Sequence, residues 1–185
     1  MGGHELVERS QTLAAIIKKA AAVHIVTHID ADGITAGAIA LQTLRRLGKE
    51  TSLECVKQLD ATIMGRLTDQ NHELVWFTDL GSTIATQYPS LQKIITDHHA
   101  CPPESNTPFH LNPHLFGLDG SYEISGAGAT YLVSKALDKQ NADLAALAII
   151  GAVGDLQDRR FCELRGVNRD IINHALSTNS LSVIQ

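Results

Sequence analysis

The sequence of 185 residues predicts an α/β fold, with a doubly wound, mainly parallel sheet flanked by helices. Over residues 1–100, short apolar segments alternate with longer segments whose apolar residues recur at helical spacing. Three of the short segments run directly into aspartate or histidine, which is typical of parallel strands that end at a site-bearing edge. A chain of this length can form one domain with a substantial core and is marginal for two.

Residues 1–100 are predicted to form three helices and four strands. The first helix covers residues 4–22, where apolar and charged residues alternate at amphipathic spacing. A second helix, residues 34–47, ends near Gly48, and Asp60 caps a third helix that runs through residue 67. The predicted strands cover residues 23–27, 51–56, 74–78 and 92–96.

The second half of the chain is predicted to be a loop followed by three helices. Residues 101–113 hold most of the prolines and form the loop, with an extended piece at residues 109–111. The helices are predicted over residues 125–137 and 143–153, and from a cap at Asn168 through residue 176.

Composition restricts the classes of function. The net charge is −5 and aromatic residues make up 4% of the chain, which disfavours a broad basic nucleic-acid surface and a platform for stacking bases. Cys55, Cys101 and Cys162 form no Cys-x-x-Cys pair, so a reducing compartment is expected without disulfides or a thiolate zinc site. The sequence has neither a signal-peptide pattern nor an apolar run long enough to span a bilayer, and we expect a cytoplasmic protein without membrane partners.

Acidic and imidazole side chains follow three of the four predicted strands. They occur as the triplet His28, Asp30 and Asp32, as the single Asp79, and as the run Asp97-His98-His99. Because the carboxyl ends of parallel strands share one edge of the sheet, these side chains are expected to converge there. Asp155, at the end of an apolar helix and beside Gly154, is expected to join them.

This set of side chains favours a metal centre at the C-terminal ends of the strands. Neighbouring carboxylates repel each other near apolar surroundings unless a cation lies between them. Oxygen-rich ligands with some imidazole suit Mn²⁺ or Mg²⁺ better than structural zinc. The number of carboxylates exceeds what one ion needs, so we expect two ions with Asp79 as the bridge. A single Asp-x-Asp sequence usually forms a turn. The metal site is favoured because all three groups of acidic and imidazole residues directly follow predicted strands.

Two further segments leave their roles open. Ser125-Gly126-Ala127-Gly128 either packs a helix start against a neighbour, or cradles a phosphate with Ser125, Gly126 and Gly128 at the helix N-terminus. In the proline-rich loop, His110, Asn112 and His114 are either solvated or reach a substrate.

Over about residues 20–160 the sequence contains four short motifs, His28-Ile29-Asp30-Ala31-Asp32-Gly33, Thr78-Asp79-Leu80-Gly81, Asp97-His98-His99 and Gly151-Ala152-Val153-Gly154-Asp155. In this order they resemble the motifs of the DHH phosphoesterase superfamily. The form of the first motif is most similar to RecJ-type single-strand exonucleases, particularly archaeal RecJ-like proteins, as are the segments at Asn112-Pro113 and Ser125–Gly128.

The resemblance implies a role for each motif residue. It implies His28, Asp30 and Asp79 as ligands of one cation, and Asp32, Asp79, His98 and Asp155 as ligands of the other. It also implies that Asp97 orients a ligand histidine, and that His99 faces the scissile phosphate as a donor or general acid. Asp79 and His99 are thus the expected catalytic residues, and Asn112 is an expected phosphate contact.

The implied function is metal-dependent hydrolysis of single-stranded DNA or RNA from an end, in DNA repair or replication. Two alternatives stay open: a small-substrate phosphoesterase (nanoRNase, nucleotide phosphatase or pyrophosphatase), and a replication component that binds the GINS and helicase assembly with little catalysis. Members of the superfamily normally carry a second, substrate-binding domain. Residues 161–185 are too few to form it, so we expect one catalytic domain over residues 1–185 with that second domain absent or truncated.

Overall fold

The computed structural model describes residues 2–182, and these contain a five-stranded sheet in which every neighbouring pair of strands is parallel. The strands are β1 (Ala22–His28), β2 (Glu50–Val56), β3 (Val75–Thr78), β4 (Lys93–Thr96) and β5 (His110–Leu111). The helices are α1 (Gly2–Lys19), α2 (Ala31–Arg46), α3 (Ala61–Asp69), α4 (Gly126–Leu137), α5 (Ala145–Gly154) and α6 (Gly166–Ser177). The strand order is β2-β1-β3-β4-β5, which confirms the predicted α/β class.

Helices cover both faces of the sheet because alternate strand residues point to opposite sides. Trp76 and Ile94 belong to a core shared with α1, α2 and α4. Phe77 and Ile95, one position further along the same strands, pack with Met64 and Leu67 of α3 on the other face. Helices α5 and α6 form an outer layer over α2 and α4. The fold is therefore doubly wound, as the sequence predicts.

The strand register brings the predicted site residues to one edge. Thr27 of β1 pairs with Thr78 of β3, and Thr78 pairs with Thr96 of β4. The residues that follow these threonines are His28, Asp79 and Asp97. Three segments that are far apart in sequence therefore leave the sheet at the same level.

Helix caps explain where the structure agrees with the predicted boundaries and where it differs. Asp60 caps α3 by accepting from the N–H of Ile63, as predicted. Helix α2 begins at Ala31, three residues earlier than predicted, because Asp30 caps it by accepting from the N–H of Gly33. The prediction that Asn168 caps the last helix is wrong. Helix α6 begins at Gly166 after Arg165, and Asn168 is buried within its first turn.

Among residues 2–182, no helix combines the length and the apolar character that a crossing of a lipid bilayer requires.

Candidate metal centre

The end of β1, the start of α2 and the turn after β3 place one group of potential metal ligands together. His28 Nδ1 lies 2.8 Å from Asp30 Oδ2 and 3.7 Å from Asp79 Oδ2. The second oxygen of Asp30, Oδ1, is used as the cap of α2. We call His28, Asp30 and Asp79 the first cluster; one potential ligand atom from each lies within 4.8 Å of the others.

A second group of potential metal ligands lies deeper in the protein than the first. His98 Nε2 lies 3.6 Å from Asp32 Oδ2, and His98 Nδ1 lies 3.7 Å from Asp155 Oδ2. We call Asp32, His98 and Asp155 the second cluster; their potential ligand atoms are also within 4.8 Å of one another. Asp32 and His98 are buried, so this cluster is shielded from water more than the first.

Asp79 of the first cluster also faces the second cluster. Its Oδ2 faces His28, and its Oδ1 lies 3.2 Å from His98 Nε2. The backbone at Asp79 has φ of +59°, an uncommon conformation for a residue other than glycine that is often found at functional sites. The turn after β3 therefore holds one carboxylate so that each of its oxygens faces a different histidine.

The N-terminus of α4 does not form an open phosphate cradle. The N–H groups of Gly126 and Ala127 donate to the two oxygens of Asp32, at 2.6 and 3.0 Å, and the Ser125 hydroxyl accepts from the N–H of Gly128. Of the two roles left open for Ser125, Gly126 and Gly128, this geometry favours packing of the helix start, because the N–H groups of the first turn already have partners within the protein. This helix N-terminus, with its favourable dipole, binds a carboxylate of the protein itself.

Gly126 is required by the close approach of α4 to the turn at Asp79. A Cβ at position 126 would overlap Oδ1 and Cβ of Asp79. The absence of a side chain allows the helix N-terminus and the carboxylate to lie against each other. The small-residue start of α4 thus serves both packing and the placement of Asp32 and Asp79.

In the Asp97-His98-His99 run, Asp97 is buried and holds the ring of His99, and the His99 side chain is partly exposed. Asp97 is fully buried; its Oδ1 accepts from His99 Nδ1 at 2.7 Å and from the N–H of His98, and its Oδ2 accepts from the N–H of Ser82. Asp97 therefore orients the ring of His99 and contacts His98 only through the backbone. The His99 side chain is about half exposed and lines a cavity of about 360 Å³ together with His28 and Asp79.

Asn112 lies behind the site and does not face it. Its side chain is fully buried, where its amide donates to His99 O and Ser82 Oγ, and its oxygen accepts from the N–H of His114. The expected contact between Asn112 and a substrate phosphate is therefore corrected. His110 is likewise buried, with its ring nitrogens on Ser105 O and Ser82 Oγ.

Three residues that the sequence analysis missed support the site. Ser82 connects Asp97, His110 and Asn112, and Gly120 O accepts from His98 Nδ1 at 2.8 Å. Gln157 is fully buried beside Asp155. Ser82 and Gln157 lie within three residues of a motif, which is the only signal that the sequence offers for them, and Gly120 has none.

Burial and like charges make the two clusters unfavourable on their own. Burial and the nearby Asp32 carboxylate raise the pKa of the Asp79 carboxyl to about 8, against the opposing effect of His98. Burial likewise raises the pKa of Asp32. Burial opposes a charge on His98, but the Asp79 and Asp32 carboxylates raise its pKa to about 10. The residues crowd negative charge around space that a cation would neutralise.

The unpaired polar atoms of the site fit divalent cations. Among the residues that the structure describes, His28 Nδ1, both oxygens of Asp79 and His98 Nε2 are buried without a well-aligned hydrogen bond. The short distances from His28 to Asp30 and from His98 to Asp79 are therefore close approaches of polar atoms that lack hydrogen-bond geometry. Unpaired buried polar atoms are costly, and in native proteins they require an explanation such as an ion. Carboxylate oxygens with two imidazole nitrogens are a suitable donor set for Mn²⁺ or Mg²⁺.

Comparison with known proteins assigns the family. The model of the N-terminal domain of the DHH family matches residues 22–151, which include the first three motifs and the start of the fourth. The chain belongs to the DHH family. This is a family of metal-dependent phosphoesterases, and every residue of the two clusters except Asp155 lies within the matched range. Membership of the DHH family confirms the resemblance seen in the sequence.

A curated relative is the uncharacterized protein MJ0831 of Methanocaldococcus jannaschii. It is 35% identical to this chain over 164 residues, which cover 83% of this chain. The same alignment spans 36% of the relative's length.

Two solved structures share the DHH fold. RecJ from Thermus thermophilus, in complex with Mn²⁺, has a TM-score of 0.70 at 24% identity and covers 92% of this chain and 27% of that chain. CDC45 from Entamoeba histolytica has a TM-score of 0.61 at 16% identity and covers 98% of this chain and 39% of that chain. At these identities the likeness shows the fold.

Proposed function

We propose that the protein is a metal-dependent phosphodiesterase that releases nucleotides from an end of single-stranded DNA or RNA. The observation that carries the proposal is Asp79, whose two buried oxygens make no well-aligned hydrogen bond and face His28 in the first cluster and His98 in the second. Membership of the DHH family and the likeness to RecJ, solved with Mn²⁺, support it.

The two clusters would hold two divalent cations, Mn²⁺ or Mg²⁺. His28, Asp30 and Asp79 would hold one, and Asp32, Asp79, His98 and Asp155 the other. When bound, such a pair stabilises the charge on a phosphoryl group and favours ionisation of water near neutral pH. The side chains of this site supply the rest of the reaction: they fix the ions, shape the cavity and donate to the substrate.

His99 is the side chain placed to contact the substrate. Its Nδ1 is held by Asp97, so Nε2 is the ring atom left for a phosphate oxygen in the cavity. Lys57 and Thr83 line the same cavity and add one positive charge and one hydroxyl. In this arrangement the hydrogen bond to Asp97 holds the ring through Nδ1 and raises the pKa of His99, and the resulting imidazolium donates from Nε2 to the non-bridging or the leaving oxygen.

The test is hydrolysis of an end-labelled single strand with Mn²⁺. We expect mononucleotide products, none in excess chelator, and none from the Asp79→Asn variant. Parallel arms contain single-stranded RNA, a dinucleotide and pyrophosphate. Hydrolysis of the dinucleotide or of pyrophosphate without attack on any longer strand would overturn the exonuclease proposal in favour of a small-substrate phosphoesterase. Hydrolysis that persists in chelator would overturn the metal-dependent reaction.

Association with a replication assembly stays a separate prediction. The likeness to CDC45 shows a shared fold only. GINS is the partner that the resemblance to archaeal RecJ-like proteins implies. A pulldown of GINS with the Asp79→Asn variant separates the two roles. Loss of the metal centre would abolish hydrolysis, and we expect GINS to be retained because the docking surface would stay intact.

A further inference from the structure

Gln157 occupies an unusual position behind the second cluster. It is fully buried and uncharged, and its amide nitrogen donates to Asp155, a member of that cluster. Its backbone N–H donates to Ala152 O at 3.0 Å, which keeps the chain close to the end of α5 after the helix stops. The side chain is thereby directed toward the space between Asp155, His98 and α6.

The hydrogen bonds of the Gln157 amide fix which way it points. Asn168 Nδ2, in the first turn of α6, donates to Gln157 Oε1 at 2.6 Å. The amide nitrogen therefore faces the opposite way, where it donates to Asp155 Oδ2 at 2.9 Å and to Gly120 O at 2.8 Å. Because Asn168 fixes the orientation of the Gln157 amide, Asp155 faces the NH₂ group of Gln157 and not its carbonyl oxygen.

Gly120 O is the junction between Gln157 and His98. It accepts from both Gln157 Nε2 and His98 Nδ1, each at 2.8 Å. A carbonyl oxygen has two lone pairs, and here both are used. With Nδ1 engaged, His98 presents Nε2 toward Asp32 and Asp79. Such a hydrogen bond to the far nitrogen of a metal-binding histidine fixes the tautomer and the orientation of the ring.

We infer that Gln157 is a positioning residue that holds the side chains of Asp155 and His98 in the orientation needed for cation binding at the second cluster. The inference rests on the proposed metal centre. One amide holds the carboxylate directly and holds the imidazole through Gly120 O, and Asn168 connects this arrangement to α6. Within residues 2–182, the hydrogen bonds of the Gln157 side chain reach no residue of the first cluster, so we expect its effect to be confined to one of the two cations.

Calorimetric titration with Mn²⁺ tests the inference. We expect two sites in the wild-type protein, and in Gln157→Met one site weakened by about 10- to 100-fold while the other is unchanged. Methionine matches glutamine in length and removes both the donor and the acceptor. Gln157→Asn keeps an amide that is too short to join Asp155 to Asn168, and it should show a smaller loss at the same site. If Gln157→Met does not fold, the Mn²⁺ affinity of Gln157→Asn tests the inference instead.

Thr43→Val is the matched control. Thr43 is also fully buried, and its hydroxyl donates to Ile39 O at 2.7 Å and lies 2.5 Å from Ser134 Oγ, away from both clusters. We expect this variant to lose stability in chelator and to bind Mn²⁺ like the wild type. Equal Mn²⁺ affinity in Gln157→Met and wild type, or the same loss in Thr43→Val, would overturn the role of Gln157. A wild-type protein that binds no Mn²⁺ would instead overturn the proposed function.

Discussion

Asp79→Asn is expected to lower Mn²⁺-dependent hydrolysis of a single strand by at least about a thousandfold. An asparagine has nearly the same shape but presents only one oxygen, so it cannot face both His28 and His98 with an anionic group. Both cations would lose a shared ligand. The measurement is the initial rate of nucleotide release at saturating Mn²⁺, compared with that of the wild type.

Stability in chelator separates loss of function from loss of the fold in Asp79→Asn. Burial and the Asp32 carboxylate already disfavour a charge at position 79, so the neutral side chain relieves repulsion within the site. We expect an unfolding temperature in chelator at or above that of the wild type. We also expect Mn²⁺ to raise that temperature in the wild type and to leave it unchanged in the variant. A variant that is still stabilised by Mn²⁺ and still active would contradict the bridging role.

His99→Gln is expected to lower the turnover number by about a hundredfold or more with little change in Mn²⁺ affinity. Glutamine can still donate a hydrogen bond to a phosphate, but it cannot transfer a proton to a leaving oxygen. Rates at saturating Mn²⁺ and calorimetry on the same preparation give the two quantities.

The Mn²⁺ affinity of His99→Gln decides between two roles for this histidine. A potential ligand atom of His99 lies within 4.8 Å of those of Asp79 and His98, so the geometry also permits His99 to be a ligand. A parallel loss of Mn²⁺ affinity and of turnover would assign it to the metal centre. Retained affinity with lost turnover would assign it to the substrate.

Much of this site can be predicted because the ends of parallel strands share one edge of the sheet, and the strands are recognisable from local sequence. His28, Asp79 and Asp97 each follow a buried β segment, and parallel pairing then aligns Thr27, Thr78 and Thr96 at one level. No knowledge of loop conformation is needed to bring these three residues together. The fold class is predictable for the same reason.

Hydrogen bonds between distant elements could not be predicted. A free helix N-terminus favours any anion, and the sequence of α4 does not reveal that Asp32 reaches Gly126 and Ala127 before a phosphate can. Asn112 is polar and lies in a proline-rich loop, yet packing buries it behind His99. Gln157 likewise acquires its contacts only when α6 packs against the end of α5.

Anomalous scattering from crystals soaked in Mn²⁺ tests the central claim most directly. We predict two Mn²⁺ peaks, one among His28, Asp30 and Asp79 and the other among Asp32, His98 and Asp155, with Asp79 contacting both. A protein that takes up no Mn²⁺, or that takes up ions without contact to Asp79, would contradict this prediction.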